Sequence, residues 1–449
     1  MTELCKNQLH TVDIEGCSAE GMGIARIGGR AVFVSGALPG ERCEIRILKA
    51  TKTAVWARIE RLLSRSSERI EPDCPVYPKC GGCDMRHASY AAELEIKKQR
   101  VNDAVRRIGG IELEAEEIIP SPLVCRYRNK AIFNVSALGG HAVTGFYRSR
   151  SHDVIPVEDC LLQSREANAA AAVLRRWMDE YNVPAYDEAS GFGAIRRLFV
   201  RGTGLGTAIC LVAAEASLPH MEALRRMLLN ACPDMVSFVL NVNRSRGNGI
   251  LSDSFITLWG SDSIDAELCS LRFSLSPKSF FQINTAQAET LYARAIEYAA
   301  LTGSEHVLDL YCGTGTIGLC AAGKCARVTG AEIIPAAIED ARANAARNGI
   351  KNAEFICADA SIAARHFAEA GLTPDVIIVD PPRRGLAPEV MDSVVKMAPG
   401  RVVYVSCDPA TLARDLKLFC AHGYIPRRMT AVDMFPRTRH VETVVLLSK

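Results

Sequence analysis

The sequence lacks the long apolar segments that membrane-spanning and secreted proteins carry. No run reaches the roughly 18 apolar residues that cross a bilayer. The first ten residues, MTELCKNQLH, hold no apolar core of signal-peptide length. No internal repeat is present either. We therefore expect a protein of the cytoplasm that does not enter a membrane.

The chain also has little net charge. Its 53 Lys and Arg residues nearly balance 51 Asp and Glu residues, which leaves a formal net charge of +2. A global basic field is therefore excluded, and any affinity for nucleic acid must come from local patches. The stretch from Cys125 to Arg150 contains no Asp or Glu, and by composition it fits an RNA-binding surface and an ordinary solvated sheet face about equally well. Its basic and aromatic residues are Arg126, Arg128, Lys130, Arg148, Arg150, Tyr127, Phe133, Phe146 and Tyr147.

The chain has the composition of a globular protein and is long enough for several domains. The 449 residues are 48% hydrophobic, which predicts two to four domains rather than one core. Residues 1–63 contain short alternating strands broken by glycine, near 31–34, 43–47 and 54–59, and predict a small β-barrel. The stretch GMGIARIGGRAVFVSGALPGE resembles the TRAM module, an OB-like barrel whose presence implies RNA binding. A generic small barrel without a ligand is the alternative.

Residues 64–262 predict a mixed α+β domain that begins with a cysteine-rich segment. Pro and Gly in EPDCPVYPKCGGCDMRH argue against regular structure there. The helical pattern near 91–108 follows, and this helix is a candidate for packing on the C-terminal domain. A second helix is predicted from Glu166 to Tyr181, and strands are predicted near 131–135, 143–147, 196–201, 207–213 and 236–242.

Residues 263–449 predict a Rossmann-like α/β domain. Four buried apolar runs, HVLDLY, RVTGAEI, DVIIVD and RVVYVS, alternate with Ala-rich helical segments. This alternation is typical of a doubly wound parallel sheet, in which each crossover passes through a helix.

Three glycines follow the first of these strands and begin a helix. Gly313, Gly315 and Gly318 form the pattern G-x-G-x-x-G, in which missing side chains let the backbone approach a nucleotide closely. By itself the pattern fits a nicotinamide dinucleotide as well as other nucleotide cofactors.

The surrounding acids favour a different cofactor. Asp309 precedes the glycines, the next strand ends in Glu332, and a later one ends in Asp380-Pro-Pro; this arrangement resembles class I S-adenosylmethionine (SAM) methyltransferases. An acid at the end of the second strand can accept both ribose hydroxyls, which makes Glu332 the ribose candidate. The resemblance further implies that Tyr311, Asp380 and Gln282, in SPKSFFQIN, contact the cofactor.

Two more residues give the methyltransferase pattern a specific chemistry. Cys407 in YVSCDP and Glu442 in RHVETV, together with Asp380 in DPPRRG, resemble the uracil-5-methyltransferase family of RNA enzymes. The resemblance implies that Cys407 is a covalent nucleophile and Glu442 a general base. A lone cysteine at a strand end is more often inert core, and the neighbouring motifs are what favour catalysis. Amino-group methylation is disfavoured because Arg383, not an aromatic residue, follows Asp380-Pro-Pro.

The cysteine-rich segment predicts a metal site. Cys74, Cys80 and Cys83 have the spacing C-x5-C-x2-C, and Cys160 in VEDC is a fourth candidate, preferred over Cys125. Spacing alone fits zinc and an iron–sulfur cluster equally well. The ribosomal RNA members of the family carry this pattern with a [4Fe-4S] cluster, and the resemblance implies the same group here.

Together these features predict a SAM-dependent enzyme that methylates uridine carbon 5, with 23S ribosomal RNA as the expected substrate. The barrel and the four cysteines favour ribosomal RNA, because typical bacterial transfer RNA members lack both. Two alternatives remain: a transfer RNA uridine-5-methyltransferase with the same chemistry, and a noncatalytic RNA-binding assembly factor that keeps the fold.

Overall fold

A computed structural model describes residues 4–149, 151–247 and 249–449. Arg150 and residues 1–3, which belong to segments interpreted above, lie outside these ranges. The described residues form four β-sheets, with six, seven, two and eight strands. Among the helices described, none is both long and apolar enough to cross a bilayer.

The N-terminal sheet has six strands in the order β1-β5-β6-β4-β3-β2. Alternating side chains such as Val32, Ile45 and Val55 are fully buried in its core, which is why the period-2 pattern is visible in the sequence. The strands expected near 31–34, 43–47 and 54–59 are confirmed. The six strands are β1 (Leu9–Asp13), β2 (Gly16–Cys17), β3 (Gly23–Ile27), β4 (Arg30–Ser35), β5 (Arg42–Ala50) and β6 (Ala54–Ser64).

The middle of the chain forms a seven-stranded sheet in the order β10-β9-β8-β11-β12-β13-β14. Two helices cover one face of this sheet and bury Trp177 and Leu228 against it. Both predicted helices and all five predicted strands are confirmed. The elements from α1 onward are α1 (Tyr90–Ala104), a π-helical turn (Val105–Gly109), β7 (Ile118–Ile119), β8 (Lys130–Leu138), β9 (His141–Tyr147), β10 (Val154–Pro156), α2 (Arg165–Glu180), β11 (Ile195–Gly202), β12 (Thr207–Ala213), α3 (Met221–Ala231), β13 (Met235–Val242) and β14 (Phe255–Gly260).

A short hairpin leads into an eight-stranded sheet in the order β19-β18-β17-β20-β21-β23-β22-β7. The first five strands of this order are parallel, as the sequence predicts, whereas β23 runs antiparallel between β21 and β22. The elements are β15 (Ile264–Leu268), β16 (Leu271–Leu275), α4 (Thr285–Ala299), β17 (His306–Leu310), α5 (Thr316–Ala322), β18 (Arg327–Glu332), α6 (Pro335–Arg347), β19 (Ala353–Cys357), α7 (Ala360–Glu369), β20 (Val376–Val379), α8 (Pro388–Met397), β21 (Arg401–Ser406), α9 (Pro409–Ala421), β22 (Ile425–Val432) and β23 (Glu442–Ser448).

The segment before residue 262 also contributes to the C-terminal sheet. Strand β7 pairs with β22, with Ile118 opposite Ala431. Val101 of α1 and Val105 after it are buried in the same core as Leu412 and other α9 residues. The two parts of the chain are thus packed into one continuous apolar core at this edge.

Candidate active site

Three strand ends place the residues predicted for catalysis at one edge of the eight-stranded sheet. Strands β17, β20 and β21 are parallel neighbours, so their carboxyl ends meet at the same edge. Asp380 follows β20 and Cys407 follows β21. Because β23 is antiparallel to β21, its first residue, Glu442, lies at that edge as well. Ligands of open α/β sheets bind in the crevice outside these ends.

Cys407 and Glu442 are brought together by the register between β21 and β23. Ser406 and Thr443 are the last ladder pair, so Cys407 and Glu442 are the next residues of the two chain segments. Glu442 also raises the pKa of the Cys407 thiol, which shows that the two groups are close enough to interact.

A helix begins directly after Cys407. Asp408 is the N-cap of α9 and accepts hydrogen bonds from the Ala410 and Thr411 amides, each at 3.0 Å, and Pro409 occupies the first turn. This capped turn fixes the backbone at the thiol, since N-cap acids and an N-terminal proline both favour helix initiation. The positive end of the helix dipole also favours a thiolate there.

The charges around the thiol oppose its ionisation. Burial, followed by Glu442 and Asp380, raises the pKa of Cys407 to about 12, while the Arg383 guanidinium acts in the opposite direction. A protein that uses Cys407 as a nucleophile must therefore place a positive charge here or remove the proton during the reaction.

The two acids of this crevice both have raised pKa values. Burial raises the pKa of Glu442 to about 8, with Asp380 adding to the shift and Arg383 opposing it. Burial raises the pKa of Asp380 to about 7. Groups with shifted pKa values that share a cleft are typical of functional sites. A carboxyl group with its pKa near the working pH suits proton transfer.

Arg383 is a site residue that the sequence interpretation left outside the predicted set. Its guanidinium lies 3.4 Å from Nδ1 of His440, and it lowers the pKa values of both Cys407 and Glu442. Burial, with help from Arg383, lowers the pKa of His440 to about 4. The signal for Arg383 was its place after Asp380-Pro-Pro in a segment already identified as part of the site.

The glycine-rich turn and the end of β18 form a second part of the crevice. Glu332 accepts hydrogen bonds from the Gly313 amide at 3.3 Å and from the Ile334 amide at 3.0 Å. Gly313 and Gly315 have φ values of +56° and +79°, a region that residues with side chains rarely adopt. A Cβ atom at Gly315 would lie 2.9 Å from Phe355, whereas Gly313 faces open space. The missing side chain at Gly313 thus leaves the space beside the Glu332 carboxylate open.

Asp309 lies beneath the glycine turn and is fully buried. Its Oδ2 accepts a hydrogen bond from the Gly318 amide at 2.9 Å, while Oδ1 has no hydrogen-bond partner among the described residues. Burial raises the pKa of Asp309 to about 8, and Asp380 and Glu332 reinforce the shift. A positive charge nearby would stabilise the ionised form of such a buried acid.

Gln282 is held at the opposite wall of the crevice. Asn129 donates to its backbone carbonyl at 2.8 Å. Burial, reinforced by Asp380, raises the pKa of the Tyr292 hydroxyl, and the side chains of Thr316 and Gln282 oppose the shift. Gln282 and Asp380 therefore both influence the same tyrosine.

Tyr311 lies at the junction between β17 and the glycine turn. Its φ of +68° is unusual for a residue with a side chain, and its amide donates to Ala331 O at 3.0 Å. The ring packs against the core under α8, and its hydroxyl lies near the Ala387 backbone and Arg384.

The four cysteines predicted to hold a metal centre line one cavity of about 90 Å³. The Arg86 guanidinium donates to Sγ of Cys83 at 3.4 Å and is itself buried. Burial raises the pKa of the Cys83 thiol to about 12, and it also raises the pKa values of Cys80 and Cys160. In the part of the chain that the structure describes, no group of three or more Cys, His, Asp or Glu side chains is arranged to hold a metal ion directly.

The basic stretch around residues 126–149 is less available than its composition indicates. Arg126 forms a 2.6 Å ion pair with Asp159. The Tyr127 ring is buried and its hydroxyl donates to Pro436 O at 3.0 Å, and Phe133 is fully buried in the core of the central sheet. Tyr127 and Phe133 are therefore core residues and not the stacking surfaces that the sequence indicated.

Comparison with known proteins agrees with this arrangement. Residues 238–449 match the family described as tRNA (Uracil-5-)-methyltransferase, and residues 3–59 match the TRAM domain. A Clostridium tetani protein named an uncharacterized RNA methyltransferase is 40% identical, with 99% of this chain and 97% of that protein aligned. One from Caldanaerobacter subterraneus is 40% identical over the full length of both. The chain belongs to the RNA uracil-5-methyltransferase family. The family and the TRAM domain expected from the sequence are thereby confirmed.

A solved structure resembles the methyltransferase over nearly its whole length. The Pyrococcus abyssi tRNA (uracil-54, C5)-methyltransferase, in complex with S-adenosyl-L-homocysteine, superposes with a TM-score of 0.78 and 28% identity. The alignment covers 98% of this chain and all of the other. The whole architecture described above is thus found in an enzyme named for transfer RNA.

Proposed function

We propose that this RNA methyltransferase transfers a methyl group from SAM to carbon 5 of a uridine, with Cys407 and Glu442 as its catalytic residues. The observation that carries the proposal is the placement of a thiol and a carboxyl group at the same end of β21 and β23, close enough to Asp380 for all three to interact. Few methyl transfers need both groups, because most methyl acceptors are already nucleophilic. Uracil carbon 5 is not, and it needs both.

Cys407 acts first. Its thiolate adds to uracil carbon 6, so that an S–C bond forms, the carbon 5–carbon 6 double bond breaks, and its electron pair moves into an enolate over carbon 5 and oxygen 4. Carbon 5 is now a nucleophile and would take the methyl group that SAM supplies; the S–CH3 bond breaks and its electron pair stays with S-adenosylhomocysteine. The Arg383 guanidinium favours the thiolate, and the acids around the thiol favour a cationic methyl donor.

Glu442 acts second. After methylation, carbon 5 carries both a methyl group and its original hydrogen. The ionised carboxylate removes that proton, the double bond re-forms, and the electron pair of the S–C bond returns to Cys407. A pKa near 8 makes Glu442 a stronger base than a solvated glutamate, and its burial keeps bulk water from competing.

The residues at the second part of the crevice fit SAM. Glu332 follows the second strand, where an acid can accept the ribose hydroxyls, and the open side of Gly313 leaves room for the cofactor beside it. The raised pKa values of Asp309 and Asp380 and the unpartnered Asp309 Oδ1 support a positively charged ligand. We include Gln282, Tyr311, Glu332, Asp380, Gly313 and Gly315 in the SAM site.

The target uridine is proposed to be single-stranded or flipped out of a helix. Thiol addition requires the face of carbon 6, which is covered by stacked neighbours in a duplex. We propose 23S ribosomal RNA as the substrate, with the TRAM domain within residues 1–63 as an RNA-binding module. The proposed division assigns residues 64–262 to a central domain and residues 263–449 to the catalytic domain.

Transfer RNA is a second candidate substrate, and a specific observation favours it. The Pyrococcus enzyme is named for uracil 54 of tRNA and matches 98% of this chain, including its N-terminal part. A barrel and a central domain are therefore compatible with a transfer RNA substrate, and their presence does not decide between the two RNAs.

The substrate proposal is tested by incubating the enzyme with labelled SAM and separate unmodified ribosomal and transfer RNA pools. Digestion and mass spectrometry then identify the methylated nucleoside. Label in 5-methyluridine from ribosomal RNA alone supports the proposal. The same label from transfer RNA alone overturns the proposed substrate but supports the proposed reaction. Absence of 5-methyluridine from both pools, with SAM bound, contradicts the function.

We further propose that Cys74, Cys80, Cys83 and Cys160 bind a [4Fe-4S] cluster. The four cysteines line one cavity of about 90 Å³, and four thiolates are a ligand set that iron–sulfur clusters use. Arg86 and Arg128, which line the same cavity, would offset its negative charge.

A further inference from the structure

The connection between β22 and β23, residues 433–441, ends at Glu442 and is held by a buried charge network. Lys97 of α1 donates to Glu93 Oε1 and to Asp433 Oδ1, each at 2.7 Å, and to Phe435 O at 3.2 Å. All three side chains are completely buried. The ammonium has three donors, and each is used.

The network fixes both sides of this connection. Asp433 Oδ2 accepts from the Tyr90 hydroxyl at 2.8 Å. Glu93 Oε1 also accepts from the Arg437 amide at 2.7 Å, and the Arg437 guanidinium lies 3.6 Å from Oε2 of the same carboxylate. Arg437 has a φ of +67°, a strained backbone conformation for arginine that its surroundings must impose.

Neighbouring segments add further restraints to residues 433–441. The amides of Asp84 and Met85 donate to Arg437 O at 3.0 and 3.1 Å. Asn284 Nδ2 donates to Met434 O at 3.0 Å, directly after the segment that contains Gln282. The connection therefore lies between the cysteine-rich segment, α1 and the start of α4. Among the described residues, Lys97 is the only buried lysine that contacts it.

Stability alone does not account for a network of this kind. Moving a lysine and two carboxylates out of water costs several kcal/mol per ion, and well-packed apolar residues of the same volume often stabilise as much or more. Charged hydrogen bonds differ from apolar contacts in being directional, so they define one geometry. Here the defined geometry is that of the segment leading into Glu442.

We propose that Lys97, by bridging Glu93 and Asp433, is a positioning residue that places Glu442 to remove the carbon 5 proton. This inference rests on the function proposed above. Asp433 follows Val432, which is the ladder partner of Glu442, so a shift of Asp433 is transmitted directly to the base. Cys407 is held separately by β21 and the cap of α9, and thiol addition does not depend on the network.

The test separates proton removal from the earlier steps. In the intact, cluster-loaded enzyme, Lys97→Met removes the bridge at nearly constant volume, and Lys98→Met, on the same helix and half-buried, is the matched control. Single-turnover reactions with SAM and substrate RNA measure the covalent protein–RNA adduct on denaturing gels and the release of methylated RNA. We expect Lys97→Met to form the adduct at the wild-type rate but to resolve it about 10- to 100-fold more slowly, as expected for a base displaced by about 1 Å.

Three outcomes would overturn the inference: wild-type resolution in Lys97→Met, equal slowing in Lys98→Met, or parallel loss of SAM binding, adduct formation and release. If Lys97→Met does not fold, Glu93→Gln replaces it, because it preserves the shape and loses one charge. The same slow resolution is then expected, and its absence counts against the role. Failure of the proposed function is recognised separately, because the wild-type enzyme would then form neither adduct nor 5-methyluridine.

Discussion

Cys407 and Glu442 lie at the same end of β21 and β23, each directly beyond the last ladder pair, Ser406 and Thr443. Burial raises the pKa values of both groups; Glu442 adds to the shift of the thiol, and Asp380 adds to the shift of the Glu442 carboxyl group. A stable protein gains nothing from gathering these groups. The arrangement fits a reaction in which the thiol adds to the substrate and the acid later takes a proton.

Replacing the nucleophile is expected to stop methyl transfer and leave cofactor binding intact. In Cys407→Ala, uracil carbon 5 is never activated, so labelled methyl transfer to RNA should fall to background. The dissociation constant of SAM, measured by calorimetry, should stay within about threefold of wild type. Cys420→Ala, at an exposed position of α9, is the control. Substantial residual methylation in Cys407→Ala would rule out the covalent role.

Neutralising the base is expected to stabilise the protein at alkaline pH. Burial raises the pKa of Glu442 to about 8 from its usual 4.5, so the folded protein holds a proton that the unfolded chain releases. Between these pH values the free energy of unfolding of the wild-type protein falls as pH rises. Glu442→Gln lacks this decrease because glutamine does not ionise. We expect Glu442→Gln to exceed wild type by ~1–3 kcal/mol at about pH 8.5, with no such gain near pH 4. Urea unfolding at both pH values measures the difference, and a gain independent of pH contradicts the assignment.

Removing the ribose acid is expected to weaken SAM binding. Glu332→Ala loses the acceptor at the end of β18 and leaves the Gly313 and Ile334 amides without their partner. Hydrogen bonds to charged groups contribute about 1.5–3 kcal/mol, so the dissociation constant should rise about 10- to 100-fold. Glu354→Ala, half-exposed on the neighbouring strand β19, should bind SAM normally. Equal affinities of the two variants would remove Glu332 from the site.

The assignment of Cys160 as the fourth cluster ligand predicts which cysteine substitution lowers the iron content. Cys160 lines the cavity together with Cys74, Cys80 and Cys83. After anaerobic purification, Cys160→Ser should have reduced iron and sulfide content and reduced visible absorbance, whereas Cys125→Ser should match wild type. The reverse result would make Cys125, and not Cys160, the fourth ligand. If the wild-type protein contained zinc in place of iron, the four cysteines would remain the proposed ligands, but the metal centre would be zinc and not a [4Fe-4S] cluster.

Much of the fold was predictable because its strands carry simple patterns. The runs that become β17, β20 and β21 are mostly apolar and almost entirely buried, since both faces of the parallel sheet are covered. The antiparallel placement of β23 and the addition of β7 were not predictable. Strand β7 has only two residues, and its pairing with β22 joins positions more than 300 residues apart.

The candidate site was predictable only where motifs marked it. Cys407 and Glu442 were found through their resemblance to a known family, whereas Lys97 was not found at all. In YAAELEIKKQRVNDA, Lys97 and Lys98 each follow a glutamate by three or four positions, and the acid that sets Lys97 apart is Asp433, 336 positions later. Long-range partners of this kind leave no local periodicity for sequence analysis to detect.

The most direct test of the central claim is covalent trapping with RNA that contains 5-fluorouridine. Fluorine at carbon 5 leaves no proton for Glu442 to remove, so the reaction halts after methyl transfer with the RNA still bound to the thiol. We predict a SAM-dependent adduct that survives denaturation and maps by peptide mass spectrometry to Cys407. No adduct, or an adduct at a different residue, would contradict the account.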